Sequence, residues 1–283
     1  MAGLLDGTTV LDLSSVGPGT RASRWLADYG ATVVKVGAVP SAGNVQIIPV
    51  YHAYGGHRGM KRALFDLKSG EGREAFLRLA EGADVVLESF RPGVMARLGV
   101  SYDDVRARNP GIVYCSTSGF GQNGPASQWA GHDLNYLAIG GFLDVSEKAE
   151  GGKPPVPGTT IADSAAGGMH AVMSICAALV QKQRTGEGAY LDVSVADGVV
   201  QLMSVNIEEH LATGVVPGHR HTMTTGRYAC YDTYQAADGG WLSVAAIEAK
   251  FWANLCNLLG LTQWAAHHTD DAVQDQVRAD VAA

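Results

Sequence analysis

The sequence predicts an α/β fold: a doubly wound, mostly parallel sheet in a large domain, followed by the start of a smaller α+β domain. Three observations predict it. Near-continuous Val, Ile and Leu runs alternate with amphipathic stretches through the first half, as when strands buried on both faces are crossed over by helices. Gly, Ser and Pro punctuate the changes of pattern, which is where helices start and stop. The 283 residues exceed the ~100–200 of an ordinary domain, so one full domain and a second, smaller one are expected.

Taken in order, TTVLDLSS is the first strand, and a Gly17-Pro18-Gly19 turn leads into the helical TRASRWLADYG. ATVVKVG and ALFDLKS are the next strands. SGEGREAFLRLAEG reads as a helix with a Ser start and a Gly stop. ADVVLESF is a strand, VSYDDVRARNP a helix and GIVYCSTSGFG another strand. Ser146 to Gly158 is rich in Gly, Pro and Lys and reads as an exposed connection. The Ala/Gly/Met-rich, largely uncharged stretch from Ile161 to Gln183 reads as a buried helix after Asp163. AYLDVSVADG is a strand, and VVQLMSVNIEEHLATG continues from it as one long helix. Composition turns polar near Val216, so the large Rossmann-like domain is placed at 1–215 and the small one at 216–283. In the latter, ACYDTYQAADGGWLSVAAIE is a strand–turn–strand pattern and FWANLCNLLG an amphipathic helix.

Composition narrows the function classes. A net charge of −7 without any Lys/Arg block argues against a nucleic-acid surface. Cys115, Cys176, Cys230 and Cys256 lie far apart with no CxxC pair, so neither a zinc site nor a disulfide framework is expected. The N-terminus shows no signal-peptide pattern, no apolar run reads as a membrane span, and DVAA is no peroxisomal address. A reduced, cytoplasmic setting is the expectation. The Gly17-Pro18-Gly19 turn lacks the third glycine of a dinucleotide fingerprint, and Walker A, HExxH and GxSxG are absent.

Three titratable residues stand out in Gly- or Ala-rich surroundings: His132 in GHDLNY, Asp163 in PGTTIADSAAGG and Glu248 in VAAIEAKFW. Each has a plain structural explanation. His132 fits a tight turn between Gly131 and Asp133, Asp163 a helix N-cap, and Glu248 a strand-end surface position. The cap and a chemical role are compatible for Asp163. A carboxylate at a helix N-terminus faces oriented N–H groups, and those groups can also stabilise an oxyanion.

Seven colinear blocks carry a family resemblance: LADYGATVVKV, DLKS at 66–69, ESFRPGVMARLGV, SGFGQNGP, AGHDLNYLAIGG, RTGEGAYLDVSVADG and YDTYQAADGGWLSVAAIEAKFW. With them the chain resembles the family III CoA-transferases, a group that includes the α-methylacyl-CoA racemases. The resemblance implies a bound acyl-CoA, with no metal and no cofactor beyond the coenzyme A of the thioester. It implies that Phe65, Asp66, Leu67 and Lys68 line the adenine end. Ser89, Phe90, Arg91 and Arg97 would grip the phosphates, for which the planar arginine fork is suited. Gly131, Asp133, Leu134, Asn135 and Tyr136 would approach the pantetheine and thioester. One departure is that Gly37 and Ala38 stand where the family usually has a basic residue, leaving Arg58, Lys61 or Arg62 to supply that contact.

Two chemistries share this framework. In the racemases the resemblance makes His132 and Asp163 the two proton-transfer groups across the α-carbon, with Glu248 orienting the imidazole. In the transferases Asp163 attacks the acyl carbon and forms a mixed anhydride. The spacing of all three residues agrees with the racemase pattern, while the stretch from Ala162 to Gly188 resembles both branches. Met169, Met173 and Met203 read either as an adaptable acyl surface or as core. The resemblance also implies an interlocked homodimer. Relatives continue beyond the position corresponding to Ala283, so a third reading is a truncated, CoA-binding form with weak catalysis.

Overall fold

A computed structural model describes residues 3–39, 56–148 and 150–283. In the first of two compact units, spanning 1–141 and 157–204, six parallel strands form one sheet in the order β3-β2-β1-β4-β5-β6. The elements run β1 (Thr9–Asp12), α1 (Gly17–Asp28), β2 (Thr32–Ala38), β3 (Lys61–Phe65), α2 (Gly70–Glu81), β4 (Val85–Glu88), α3 (Val94–Leu98), α4 (Tyr102–Arg106), β5 (Val113–Ser118) and α5 (Asp133–Ile139). After α6 (Phe142–Val145) come a π-helical turn at Ala162–Met169, α7 (His170–Thr185), β6 (Ala189–Ser194) and α8 (Val195–Leu202). The expected doubly wound sheet is present, strand for strand.

Both faces of the inner strands β1, β4 and β5 are covered, which is why apolar residues stand at successive positions along them. Successive residues point to opposite layers. Val10, Val85, Leu87 and Val113 pack with Ala22 and Leu26 of α1 and Ala171 and Ile175 of α7. Leu11, Val86 and Tyr114 pack on the other side with Phe76 of α2 and Met95 of α3. Each fully buried Leu or Phe contributes roughly 1.5–3 kcal/mol, and truncating Leu87 or Phe76 to Ala would cost about 2–5 kcal/mol. The Ser69 hydroxyl accepts the Gly72 N–H at 3.0 Å, so α2 starts at the Ser and stops at Gly82 as its punctuation predicts.

The apolar stretch after Asp163 continues as one helical run, 162–185. Contrary to expectation, it is long and apolar enough to cross a membrane by length and composition. Here Ala171, Val172, Ile175 and Ala178 spend that apolar character on the sheet.

The second unit comprises 142–156 and 205–283, which corrects the expected division at 215/216. The segment 142–156 belongs with it because Glu147 pairs with Arg220 at 3.2 Å. The expected single helix after β6 is two: α8 ends at Leu202 with Met203 as its C-cap, and α9 (Ser204–Thr213) follows without a buried residue. The hairpin of β7 (Tyr231–Gln235) and β8 (Trp241–Ala245) turns over Ala237 to Gly240, with Gly239 at φ +84°. With α10 (Ala249–Leu259) and α11 (Gln274–Ala282), it encloses a core of Ala229, Cys230, Trp252, Cys256 and Val277.

Candidate active site

Strand order locates the site. In a 3-2-1-4-5-6 sheet the chain leaves β1 and β4 in opposite directions, and a crevice opens at their carboxyl ends. There a cleft of about 180 Å³ is walled by Ser15 to Pro18 after β1, Ser89 after β4, and Thr117 to Gly119 at the end of β5. Gly131, His132 and Tyr136 close one side, and Asp163 faces in from the π-helical turn. His132 and Asp163, paired in the sequence reading, therefore line one cavity.

Small residues bring Asp163 there. A Cβ on Gly167 would stand 2.5 Å from Cβ of Pro18, and one on Gly168 would stand 2.8 Å from Cβ of Arg21. A Cβ on Gly198 of α8 would stand 2.2 Å from the Ala166 carbonyl oxygen. The Ala/Gly run thus exists so that the turn can nest between α1 and α8 at backbone distance. Asp163 is not the helix N-cap expected of it: it lies inside the π-helical turn, whose preceding residue, Ile161, is already helical. Such widened turns recur at functional sites. The N-terminus of α1 lies nearby instead: a Cβ on its first residue, Gly17 (φ +70°), would stand 3.8 Å from Asp163 Oδ2.

The electrostatics are specific. Burial raises the Asp163 pKa above the usual aspartate value, and Asp133 raises it further by repulsion; Arg21 and His132 work against them. Asp133 is held close because its Oδ1 accepts the Asp163 N–H at 2.8 Å. Tyr136 is pushed up by burial first, then by Asp163 and Asp133. Its hydroxyl donates to the Gly131 carbonyl at 2.7 Å, and its ring fits because Gly119 and Gly131 carry no Cβ. His132 is not in a free turn but caps α5: its N–H donates to Asn135 Oδ1 at 3.0 Å, and its side chain is exposed.

Other predicted residues fall elsewhere along the carboxyl edge. Phe65, Asp66, Leu67, Lys68 and Phe90 line a larger, mainly apolar cleft of about 600 Å³, walled also by Leu13, Val36 to Val39, Val94 and Leu98. Arg91 lines a third cleft of about 280 Å³ with Glu88, Tyr102 and Tyr190, while Arg97 stands exposed on α3. Leu134 and Asn135 are exposed on α5. Met169 and Met173 are exposed and Met203 is buried; the apolar wall beside Asp163 is Val16, Pro18 and Val195. Glu248 lies in the second unit, exposed, at the N-cap of α10, where its carbonyl accepts the Phe251 and Trp252 N–H groups. Among the described residues, no group of three or more His, Cys, Asp or Glu is disposed to hold a metal ion.

Several site groups carried no signal in the pattern of the sequence. Ser15 and Thr117 lie outside the family blocks and meet only through strand order, and Ser89, expected at the phosphates, stands in the Asp163 cleft with them. Arg21 acts on Asp163 only because α1 packs on the π-helical turn. The dismissed Gly17-Pro18-Gly19 turn was the available clue, since it follows the first strand.

With this geometry in place, comparison with known proteins is informative. The model of CoA-transferase family III matches residues 5–283. The human α-methylacyl-CoA racemase is 35% identical over 257 residues, 91% of this chain and 65% of that protein. The acetyl-CoA:oxalate CoA-transferase of Acetobacter aceti is 33% identical over 275 residues, 93% of this chain and 68% of that one. A crystal structure of a CaiB/BaiF family protein from Brucella suis superposes with a TM-score of 0.82 at 28% identity, covering 100% of this chain and 78% of that one. The chain spans about two thirds of the length of the curated relatives it matches.

Proposed function

The chain belongs to CoA-transferase family III, and on that premise we propose that it acts on an acyl-CoA at the His132/Asp163 cleft, epimerising the α-carbon of a 2-methylacyl-CoA. One observation carries the choice: two groups able to exchange a proton, His132 and Asp163, line a single cleft. One removes the α-proton, the electron pair moves into the thioester carbonyl, and the other protonates the resulting enolate from the opposite face. A carboxyl whose pKa is raised by burial suits this work, because it accepts a proton more readily than an ordinary aspartate. The N-terminus of α1, which faces the same cleft, favours developing negative charge. In the interlocked homodimer that the resemblance implies, Glu248 of the partner subunit would orient the imidazole. Coenzyme A enters as part of the substrate.

A second reading is supported by the same Asp163 and by the Acetobacter aceti relative. In it the carboxylate attacks the thioester carbonyl, the C–S bond breaks, and CoA leaves as thiolate from a mixed anhydride. Incubation with a 2-methylacyl-CoA in D₂O separates the two. Deuterium at the α-carbon without an acceptor acid supports epimerisation. No exchange, with CoA passing to a free carboxylate, sinks it. Sedimentation mass tests the dimer.

A further inference from the structure

A buried ion pair lies below the cleft and does not touch it. Asp12, the last residue of β1, faces Lys35 of β2 across the sheet register. Lys35 Nζ donates to Asp12 Oδ2 at 2.7 Å, with Asp12 fully buried and Lys35 only 6% exposed. Charges inside a sheet are costly, and such a pair is often no more stabilising than two well-packed apolar side chains. Its remaining hydrogen bonds therefore show what it is for.

All of them converge on Ser14. Asp12 Oδ1 accepts both the Ser14 N–H, at 2.7 Å, and the Ser14 hydroxyl, at 2.6 Å. Lys35 Nζ also donates to the Ser14 carbonyl at 2.5 Å. Ser14 is thus held at its amide, its hydroxyl and its carbonyl. It begins the short connection whose next residues, Ser15 to Pro18, form the cleft wall and the first turn of α1. Gly19 sits directly on Ser14, since a Cβ there would stand 2.6 Å from the Ser14 Cβ. Gly17 in turn faces the same cleft as Asp163, and a Cβ on it would stand 3.8 Å from the carboxylate Oδ2. The ion pair thus holds the β1–α1 connection whose Gly17 faces Asp163 across the cleft.

We propose that Asp12 and Lys35 are positioning residues, which clamp the β1–α1 connection so that the N-terminus of α1 is held against Asp163. The clamp rests on and deepens the functional reading, since Asp163 removes a proton, or attacks the thioester, from its ionised form. The groups acting on Asp163 are Asp133, which raises its pKa, and Arg21 and His132, which lower it. The α1 terminus adds a lowering influence that exists only while the connection is held. Loosening the clamp leaves the other three in place and removes part of that influence, so the Asp163 pKa rises.

The test replaces the pair by apolar residues, Asp12→Leu with Lys35→Met, and follows Asp163 by ¹³C NMR of labelled aspartate in the full chain. The resonance is identified by its loss in Asp163→Asn. The pair variant is expected to melt within a few degrees of the parent, while Asp163 titrates roughly half a unit higher. Whichever thioester reaction the parent performs, turnover is expected to fall about 10- to 100-fold at little changed KM. Should the double variant fail to fold, Ser14→Ala removes one hook and leaves the pair, and a smaller rise in the same direction is expected. An unchanged Asp163 titration in the folded variant overturns the clamp. A parent chain inert toward thioesters would overturn the functional reading and leave the titration to decide the clamp.

Discussion

Two clefts at the carboxyl edge of one sheet are built on opposite plans. The Asp163 cleft, about 180 Å³, is mixed: Ser15, Ser89, Thr117 and Ser118 stand beside Val16, Pro18 and Val195, and two titratable groups face it. The Phe65–Lys68 cleft, about 600 Å³, is mostly apolar, with Leu13, Val36, Leu67, Phe90 and Leu98 around it. Burial of apolar surface gives binding energy that is indifferent to the reaction. Held charges and oriented N–H groups act only where charge develops. Under the proposed function the contrast divides labour within one unit: the large cleft would hold the thioester, and the small one would react with it.

The sharpest way to break that division is at Asp163. Asp163→Asn keeps the shape and removes the charge, so turnover is expected to fall about 10³-fold, with acyl-CoA affinity by calorimetry nearly unchanged. Equal losses in both would mean that the small cleft also carries the binding. Next is His132→Gln, expected to lower α-proton exchange about 10²-fold. Under the transferase reading the same substitution leaves CoA transfer largely intact, so the two assays on one variant choose between the chemistries.

In the large cleft the expected pattern inverts. Phe90→Ala removes a ring that is 37% exposed in the free chain. It should weaken thioester affinity roughly tenfold and leave kcat within twofold (~0.4 kcal/mol). A fall in kcat with unchanged affinity would contradict the division.

A pH experiment sharpens the electrostatic half. Burial raises the Asp163 pKa, with Asp133 adding to it, so the neutral carboxyl is the form the fold favours. Stability from this group is fully present below the ordinary aspartate pKa and is lost as pH rises through the raised value. Asp163→Asn should therefore melt higher than the parent at pH 7, and the gap should close as pH falls below the ordinary aspartate range. Activity should show an acid limb above that range, because proton removal by Asp163, or its attack on the thioester, uses the carboxylate.

The smallest expected effect is at Thr117. Its hydroxyl is buried and finds no hydrogen-bond partner among the described residues. A buried hydroxyl left unpaired costs about 1–3 kcal/mol. Thr117→Val, of similar shape, is expected to stabilise the free chain by about 1 kcal/mol, read from denaturant melts. A destabilised variant would show that the hydroxyl is satisfied.

Much of the fold was legible because its signals are local. The six strands announce themselves as apolar runs bounded by Gly and Ser, and Ser69 and Gly82 mark the ends of α2 by capping chemistry that needs no distant partner. The second unit was less legible. Glu147 and Arg220 are 73 positions apart, and nothing near either one shows that they pair. The break at Met203 was hidden because α8 and α9 together read as one continuous helical pattern.

For the site, sequence by itself determined the identities: His132, Asp163 and the blocks around them, and with those blocks the family. It also determined the Ala/Gly-rich composition on which the packing of the π-helical turn depends. Only the tertiary structure decided what those residues do to one another. It moved Asp163 from a helix cap into a π-helical turn, brought the first residue of α1 to the same cleft, and gathered Ser15, Ser89 and Thr117 from three strand ends. The physical reason is range. Helix and strand signals act over a few residues, whereas the charge on Asp163 depends on burial, on Asp133 and on Arg21, which strand order and helix packing alone bring together.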